Sequence, residues 1–488
     1  MRTSYDHSTF HSTRHAFTHF HGRDREGLFV SDRRGMLKAS LAGIGGLSLP
    51  ALLQARAEAA AASRPTASRK SVILLWMAGG VSHLDTWDPK PDRPSMNRGP
   101  FSVIPTRLPG TMLCELLPKQ AAMMDRITIV RSVDALGSDH APNKVFQTGN
   151  RAAAPRRNPE AELYPAIGSL VANKRGPNHP AMPPYVAFMR ARSQLAFGGY
   201  LGERFDPFIA NKATKLPVYS DDGVDTGKTT EADLFQLPGG LSYDRVRRRR
   251  TLMEDFDRMR TALDLSGSME AFDFYQQNAV DMLVGERAQQ AFDVSLESES
   301  VRQRYGEHLW CQQALIARRL VEAGVSFVTL DLSHHDFFGT WDHHGDNTVP
   351  YGGINTGLKP LLPIFDHLFT TLVSDLEDRG LDQEVLVLAM GEFGRTPQMG
   401  TGRHIGGRNH WPNVMSLLLA GGGLRHGQVI GASEQDGAEI KHRPVTPADL
   451  AATIYRHMDV PLNATYLDRR GRPRFIVEEG GEPIAELF

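Results

Sequence analysis

A continuous apolar run of strand length, residues 71–78 (SVILLWMA), limits the fold of this chain more than any other feature. The run does not alternate between polar and apolar residues, which is typical of a strand buried on both faces, as in a parallel sheet. Similar short runs recur, with helical periodicity between them, at residues 127–130, 185–189, 325–332 and 385–390. Strands that alternate with helices predict an α/β fold, in which helices flank a mostly parallel central sheet.

Three of the intervening segments have clear helix signals. Residues 300–323 predict one long helix that ends at Gly324, and residues 361–376 predict another that ends near Gly380. Thr446 and Pro447 open a third, with Thr446 as the N-cap and Pro447 in the first turn.

The region around residues 200–300 is polar and differs from the rest of the chain. It predicts a helical or irregular insertion that covers one end of the sheet. Its basic run at residues 245–250 fits either an anion-binding segment or a solvated helix face.

The first 59 residues resemble an export leader. The string SDRRGMLK at residues 31–38 is similar to the twin-arginine consensus, and a weakly apolar stretch follows it at residues 39–53. The small residues Ala57 and Ala59 suit cleavage, so we expect a twin-arginine signal peptide and disordered leader over 1–59 and the working domain over 60–488. The five histidines before residue 22 fit either a metal-binding tract or a disordered pre-sequence. The predicted location is periplasmic or extracellular, after export by the twin-arginine translocase.

Charge and cysteine content narrow the possible partners. The chain has 55 basic and 56 acidic side chains, a net charge of −1, and this balance gives no overall electrostatic footprint for nucleic acid or an anionic membrane. No segment after the leader reaches about 18 continuous apolar residues, so we expect no transmembrane helix. Cys114 and Cys311 are too few for a disulfide framework; two buried thiols are expected, and a single bridge is the alternative.

Ligands of open parallel sheets bind at the carboxyl ends of the strands, so the residues after each apolar run are the candidates for chemistry. The first run is followed by a glycine turn and then by His83, Asp85 and Asp88. Imidazole and carboxylate together suit Zn²⁺, Mn²⁺ or Fe. The alternative is an aspartate-rich turn before Pro89.

A second candidate segment follows the run at 325–332. Residues 334–346 contain four histidines and three aspartates, and a loop seldom needs imidazoles for packing, so the cluster predicts metal ligation. Asp342 and His344 are the expected pair, because alternate residues of an extended loop point the same way.

Three further loops carry one or two candidates each. Glu392 and Arg395 follow the run at 385–390, where Glu392 can ligate a metal or act as a base and Arg395 can clamp a phosphate or sulfate; an internal Glu–Arg ion pair is the alternative. His410 is either a last metal ligand or a structural loop histidine. His140, beyond the run at 127–130, is a further candidate for the site.

The motifs GGVSHLDTWDPKP, TWDHHGDN, GEFGRTP and GRNHWP, together with the Arg-Arg signal, resemble the DUF1501 family from about residue 33 to about residue 461. That family is similar to a branch of the alkaline phosphatase and sulfatase superfamily. The resemblance implies a mostly parallel sheet between helices and hydrolysis of phosphate or sulfate esters with one or two divalent metals.

The resemblance also implies roles for particular residues. Asp85, Asp342, His344 and His410 match the positions of the superfamily's metal ligands. The position of a further Asp-His element holds Gly391 and Glu392, so this element is altered, and no Cys-x-Pro-x-Arg sequence of the formylglycine sulfatases is present.

The implied catalytic residues are Glu392 as ligand or base, Arg395 as the group that stabilises an anionic transition state, and His140. The expected function is thus an exported metal-dependent hydrolase of phosphate or sulfate esters, with Zn, Mn, Ca or Fe as the ion and an anionic ester or glycan as the substrate. A non-catalytic anion- or glycan-binding envelope protein of the same fold is the alternative.

Overall fold

The apolar runs of the sequence form the middle of an eight-stranded sheet in the computed structural model of the chain. The structure describes residues 69–136, 142–190, 195–233, 235, 286–334, 340–345, 352–400 and 405–488. The predicted leader at 1–59 lies outside these ranges.

Numbered in chain order, the strands of this sheet are β1 (Ser71–Trp76), β2 (Ile127–Val133), β3 (Tyr185–Phe188), β4 (Phe208–Ile209), β5 (Phe327–Asp331), β6 (Val385–Met390), β7 (Met415–Gly421) and β8 (Gln428–Ile430). They lie in the order β8-β2-β7-β6-β1-β5-β3-β4. Neighbours are parallel except that β7 is antiparallel to both β6 and β2. The predicted mostly parallel sheet is confirmed.

Helices cover both faces of this sheet. The α-helices of the described ranges are α1 (Ser95–Arg98), α2 (Pro118–Ala122), α3 (Pro142–Thr148), α4 (Ile167–Lys174), α5 (Glu286–Phe292), α6 (Glu299–Tyr305), α7 (Leu309–Ala323), α8 (Lys359–Asp378) and α9 (Pro447–His457). Ile73 and Leu75 of β1 pack in one core with α7 and α8, whereas Val72 and Leu74 pack in a second core with α4 and α9. The strand is buried on both faces, as its continuous apolar run predicts.

Short two-stranded ladders form separately from the eight-stranded sheet. They pair Val103–Pro105 with Met112–Cys114, Pro217–Tyr219 with Asp225–Thr229, Gly394–Arg395 with His410–Trp411, Ala432–Ser433 with Ile440–His442, and Thr465–Leu467 with Pro473–Phe475.

Two of the three predicted helices are confirmed, and one is wrong in its continuity. The segment 361–376 lies within α8, and Thr446 caps α9 in a capping box with Asp449. The single helix predicted over 300–323 is two helices, α6 and α7, because Gly306 has a φ of 89° and ends α6. The His308 side chain then accepts a hydrogen bond from Trp310 N and starts α7.

The region around 200–300 is not only an insertion. Phe208–Ile209 forms the edge strand β4 of the main sheet, and the residues after it form the ladder of Pro217–Tyr219 with Asp225–Thr229. The basic run at 245–250 lies outside the described residues.

Both cysteines are buried free thiols, as expected. Burial raises the pKa of Cys114 and of Cys311 to about 12. No helix of the described ranges is long and apolar enough to cross a bilayer.

Acid should destabilise the fold through the buried imidazole at the end of α9. His457 Nε2 lies 3.1 Å from Ser71 O, and burial lowers the pKa of His457 to about 4. The native imidazole therefore stays neutral down to a pH at which the unfolded chain, with an ordinary pKa near 6.5, is protonated. This stabilisation is complete above pH 6.5 and is lost as the pH falls towards 4; between pH 7 and pH 5 the loss is about 2 kcal/mol.

Replacement His457→Gln should make the fall in unfolding free energy between pH 7 and pH 5 smaller by about 2 kcal/mol than in the wild type. Urea denaturation at the two pH values measures it. The exposed His442 supplies the control, because His442→Gln should leave the pH dependence unchanged. An unaltered pH dependence in His457→Gln would contradict the assignment.

Candidate metal centre

The strand directions bring several loops to one edge of the sheet. Trp76 at the end of β1 pairs with Met390 at the end of β6 and with Asp331 at the end of β5. Because β7 runs in the opposite direction, its beginning lies at the same edge. The loops after β1, β5 and β6 and the segment before β7 therefore meet there, although they are far apart in the sequence.

Three of the four predicted metal ligands form one group at this edge. Asp342 Oδ1 lies 3.1 Å from His344 Nε2 and 3.1 Å from His410 Nε2, and the two imidazole nitrogens are 2.9 Å apart. All the potential ligand atoms lie within 4.8 Å of one another, and this is the group of metal-binding geometry among the described residues. One carboxylate oxygen and two imidazole nitrogens form a donor set that suits a divalent transition metal.

The group is neither deeply buried nor fully open. The side chains of Asp342, His344 and His410 are 9%, 21% and 14% exposed. The group therefore keeps some contact with solvent among the described residues.

Trp341 fixes the loop that carries Asp342. Its backbone N donates to Ala78 O at 3.1 Å, and its buried indole Nε1 donates to Leu332 O at 2.8 Å. The loop therefore lies directly on the turn after β1. Gly79 in that turn has a φ of 112°, and a Cβ there would lie 2.6 Å from Asp342 N, so only glycine fits this approach.

The side chain of Arg395 fixes the orientation of Asp342. The fully buried guanidinium donates from Nη2 to Asp342 Oδ1 at 2.5 Å and to Gly79 O, from Nε to Gly80 O at 2.8 Å, and from Nη1 to Arg408 O at 3.2 Å. These acceptors all belong to the protein. The role predicted for Arg395, clamping a substrate anion, is thus replaced in the structure by a role in holding the ligand loop.

Glu392 supports the same turn. Its Oε1 accepts a hydrogen bond from Gly79 N at 2.8 Å, and the side chain is buried. The Glu392–Arg395 ion pair considered from the sequence is not what the two residues form: Arg395 pairs with Asp342, and Glu392 binds a backbone amide.

Asp85 does not join the ligand group. It pairs with Arg408, whose Nε and Nη2 lie 2.7 Å and 3.3 Å from Oδ2 and Oδ1, and it accepts a further bond from Ser82 Oγ at 2.5 Å. Both charged side chains are buried. A buried carboxylate that is satisfied by a guanidinium has no need of a metal ion, so the predicted ligand Asp85 is instead half of an ion pair.

Sequence reasoning missed Arg408. It lies in the motif GRNHWP, two residues before His410, and its backbone N donates to His343 O at 2.9 Å. Arg408 therefore ties the loop of His410 to the loop of His344. Its place in the motif was a signal, but nothing in the sequence shows that its partner is 323 residues away.

The sequence model described as "Protein of unknown function (DUF1501)" matches residues 69–488. The chain belongs to the DUF1501 family. The resemblance seen in the four sequence motifs is thereby confirmed, over nearly all of the described residues.

Solved structures with a similar fold are distant from this DUF1501 chain. One is Ps i-CgsB in complex with k-i-k-neocarrahexaose, with 10% identity, a TM-score of 0.38 and coverage of 80% of this chain and 72% of that one. Another is the PsFucS1 sulfatase from Pseudoalteromonas sp., with 11% identity, a TM-score of 0.35 and coverage of 80% and 68%. A third is a protein of the alkaline phosphatase superfamily from Vibrio parahaemolyticus, with 10% identity, a TM-score of 0.32 and coverage of 80% and 67%. No curated protein sequence matches the chain. At this level of similarity no activity transfers from those proteins.

The remaining predicted residues of the first DUF1501 motif are structural. Burial lowers the pKa of His83 to about 4, and its Nε2 lies 3.0 Å from Gly437 O. Burial alone would raise the pKa of Asp88, but Arg131 and Lys90 outweigh it and lower that pKa. The imidazole is therefore neutral and the carboxylate charged, and neither belongs to the ligand group. His140 lies outside the described residues.

The close approach of the turn to Asp342 can be tested with two glycines. Gly79→Ala should lower the free energy of unfolding more than Gly110→Ala, because both positions have positive φ but a Cβ at Gly110 meets nothing within 4 Å. The positive φ alone accounts for about 1 to 2 kcal/mol in each variant, and Gly79→Ala adds the displacement of Asp342. Urea denaturation of both variants measures the difference; equal losses would show that the turn does not press on the ligand loop.

Proposed function

We propose that this protein is an exported, metal-dependent hydrolase of phosphate or sulfate esters. The observation that carries the proposal is the convergence of Asp342 Oδ1, His344 Nε2 and His410 Nε2 at a partly exposed edge of the sheet.

The residues present fit a divalent ion. Two imidazole nitrogens 2.9 Å apart both face the same carboxylate oxygen, and a cation between them would satisfy all three lone pairs at once. Imidazole ligands favour Zn, Mn or Fe over Ca, which prefers oxygen ligands. A bound ion of this kind polarises an ester oxygen and lowers the pKa of a bound water.

Neighbouring side chains would hold the ligands of this centre in position. Arg395 holds Asp342 through a buried ion pair, and Glu392 holds the turn at Gly79 against the ligand loop. We assign Arg395 and Glu392 mainly as positioning residues, and Glu392 is also a candidate base. His140, which follows β2 in the sequence, remains a candidate catalytic residue. Asp85 is left out of the ligand set because Arg408 holds it.

The leader supports the export part of the proposal. The string SDRRGMLK at residues 31–38 and the weakly apolar stretch after it suit recognition by the twin-arginine translocase and release into the periplasm or beyond. That route carries folded proteins, so the ion would be bound before export.

A non-catalytic anion- or glycan-binding protein is the second candidate. The observation that favours it is the commitment of Arg395: its donors bind Asp342 and backbone carbonyl oxygens, so this guanidinium is not available to stabilise a transition state. The activity measurements below separate the two candidates.

The ligand set predicts how the metal content responds to substitution. The purified wild-type chain should retain about one divalent ion per chain after dialysis. Asp342→Asn should lose it, whereas Asp85→Asn, a matched removal of one carboxylate charge at the same edge, should keep it. Elemental analysis by mass spectrometry measures the ion, and circular dichroism verifies that each variant is folded.

Two outcomes would count against this ligand set. A folded wild-type chain without any divalent ion removes the metal centre. A folded Asp85→Asn chain that has lost its ion shows that the centre needs Asp85, either as a ligand or through Arg408, which ties the loop of His410 to the loop of His344.

Hydrolysis of p-nitrophenyl phosphate and p-nitrophenyl sulfate tests the activity. His410→Ala should lower kcat/KM by at least about 100-fold, since loss of even the outer partners of metal ligands costs about 10- to 100-fold. The exposed His442 is the control, and His442→Ala should be fully active. A metal-loaded wild type that turns over neither ester supports the binding protein over the hydrolase.

A further inference from the structure

The hairpin of Thr465–Leu467 with Pro473–Phe475 exposes large apolar side chains. Leu467 is 60% and Phe475 is 64% exposed, and they are two of the six large hydrophobic side chains that are exposed in the described ranges. Leu467 pairs with Pro473, and Thr465 pairs with Phe475. Side chains on paired positions share a face of a ladder, so Leu467 and Phe475 lie on the same face.

The other face of the hairpin is anchored to the protein. Tyr466 is 5% exposed and packs in the second core, and it stacks on Tyr200 with ring centroids 6.1 Å apart. Arg474, which pairs with Tyr466, has its guanidinium 5.8 Å from the same Tyr200 ring. The outward direction of Leu467 and Phe475 is thus fixed by the fold.

The turn of the hairpin is strongly basic. Residues 468–474 contain four arginines and one acid, Asp468. The carboxylate of Asp468 is taken by Arg472 at 2.7 Å and by Arg474 at 3.2 Å, and it accepts the backbone N–H groups of Arg470 and Arg472. Arg469 and Arg470 are exposed and form no ion pair with any residue that the structure describes.

We propose that this hairpin docks the protein on the surface of an anionic lipid bilayer. Exposed apolar side chains next to uncompensated arginines are complementary to acyl chains beneath anionic headgroups. The chain as a whole has a net charge of −1, so attraction to an anionic surface requires a local excess of basic side chains such as this one. Arg469 and Arg470 are on a turn rather than in a cavity, so the arrangement suits an extended charged surface rather than a single small anion. This inference does not depend on the proposed ester hydrolysis.

Vesicle sedimentation with the full chain tests the proposal. The probes are vesicles of pure phosphatidylcholine and vesicles in which about one third of the lipid is phosphatidylglycerol. We expect binding to the anionic vesicles only, and loss of that binding as salt rises from about 0.05 M to about 0.5 M, because salt screens the arginines. Arg469→Glu/Arg470→Glu should weaken the partition onto anionic vesicles by at least 10-fold, and so should Leu467→Ser/Phe475→Ser.

Matched control variants show whether a loss of vesicle binding is specific to the hairpin or follows from any change in total charge. All the proteins carry the leader, so its contribution to binding is the same in each. Arg98→Glu/Arg157→Glu makes the same change in charge at exposed positions elsewhere, and Val224→Ser/Leu296→Ser removes two other exposed apolar side chains; both should bind like the wild type. Thermal unfolding shows whether each variant keeps its fold.

Three results would overturn the proposal. The first is equal binding of the wild type to both kinds of vesicle, or to neither. The second is a wild-type level of binding in both hairpin variants. The third is a concentration-dependent dimer, detected by light scattering, that Leu467→Ser/Phe475→Ser abolishes while vesicle binding stays unchanged; the hairpin would then be a contact between two copies of the chain.

Discussion

The buried guanidinium of Arg395 is the interaction on which the candidate site depends. It joins four stretches of chain that the sheet brings to one edge: the turn at Gly79 and Gly80, the ligand Asp342, the loop at Arg408, and its own strand end. A charge buried this completely is stable only if its donors are satisfied. The site is therefore cooperative: loss of the Asp342 carboxylate leaves an uncompensated buried cation, and loss of a carbonyl acceptor leaves a buried N–H group unsatisfied.

The strands of the sheet were predictable where burial on both faces requires a continuous run of apolar residues in the sequence. The central strands are mostly apolar, and all five predicted runs coincide with strands that are covered on both faces. The strand β7 was not among the predicted runs, and its antiparallel direction was not predictable either, since MSLLLAG has the same pattern as a parallel strand. The break at Gly306 was missed for a related reason: the apolar periodicity continues across it, and only the positive φ separates the two helices.

For the candidate site, the sequence indicated which types of side chain are present, but only the structure shows which of them contact each other. Asp342, His344 and His410 were predicted because imidazoles are rare in loops without a purpose, and the structure groups them. Asp85 had an equally good position after a strand. What distinguishes it is Arg408, whose guanidinium reaches it from a distant loop. A carboxylate that serves a metal and one that serves an arginine look identical in a sequence, because the difference depends on long-range contacts.

The charges around Asp342, His344 and His410 indicate that a further ligand of a bound metal ion would be negatively charged. Arg395 compensates Asp342, and imidazoles that coordinate a metal are uncharged, so the side chains in contact with a bound ion would together be neutral. A divalent ion in this group would keep most of its charge, unlike an ion held by several carboxylates. In a partly buried place, where Coulomb interactions are stronger than in water, such a centre would favour an anion as its further ligand. Hydroxide, phosphate and sulfate meet that need, whereas a neutral or cationic ligand would leave the positive charge uncompensated.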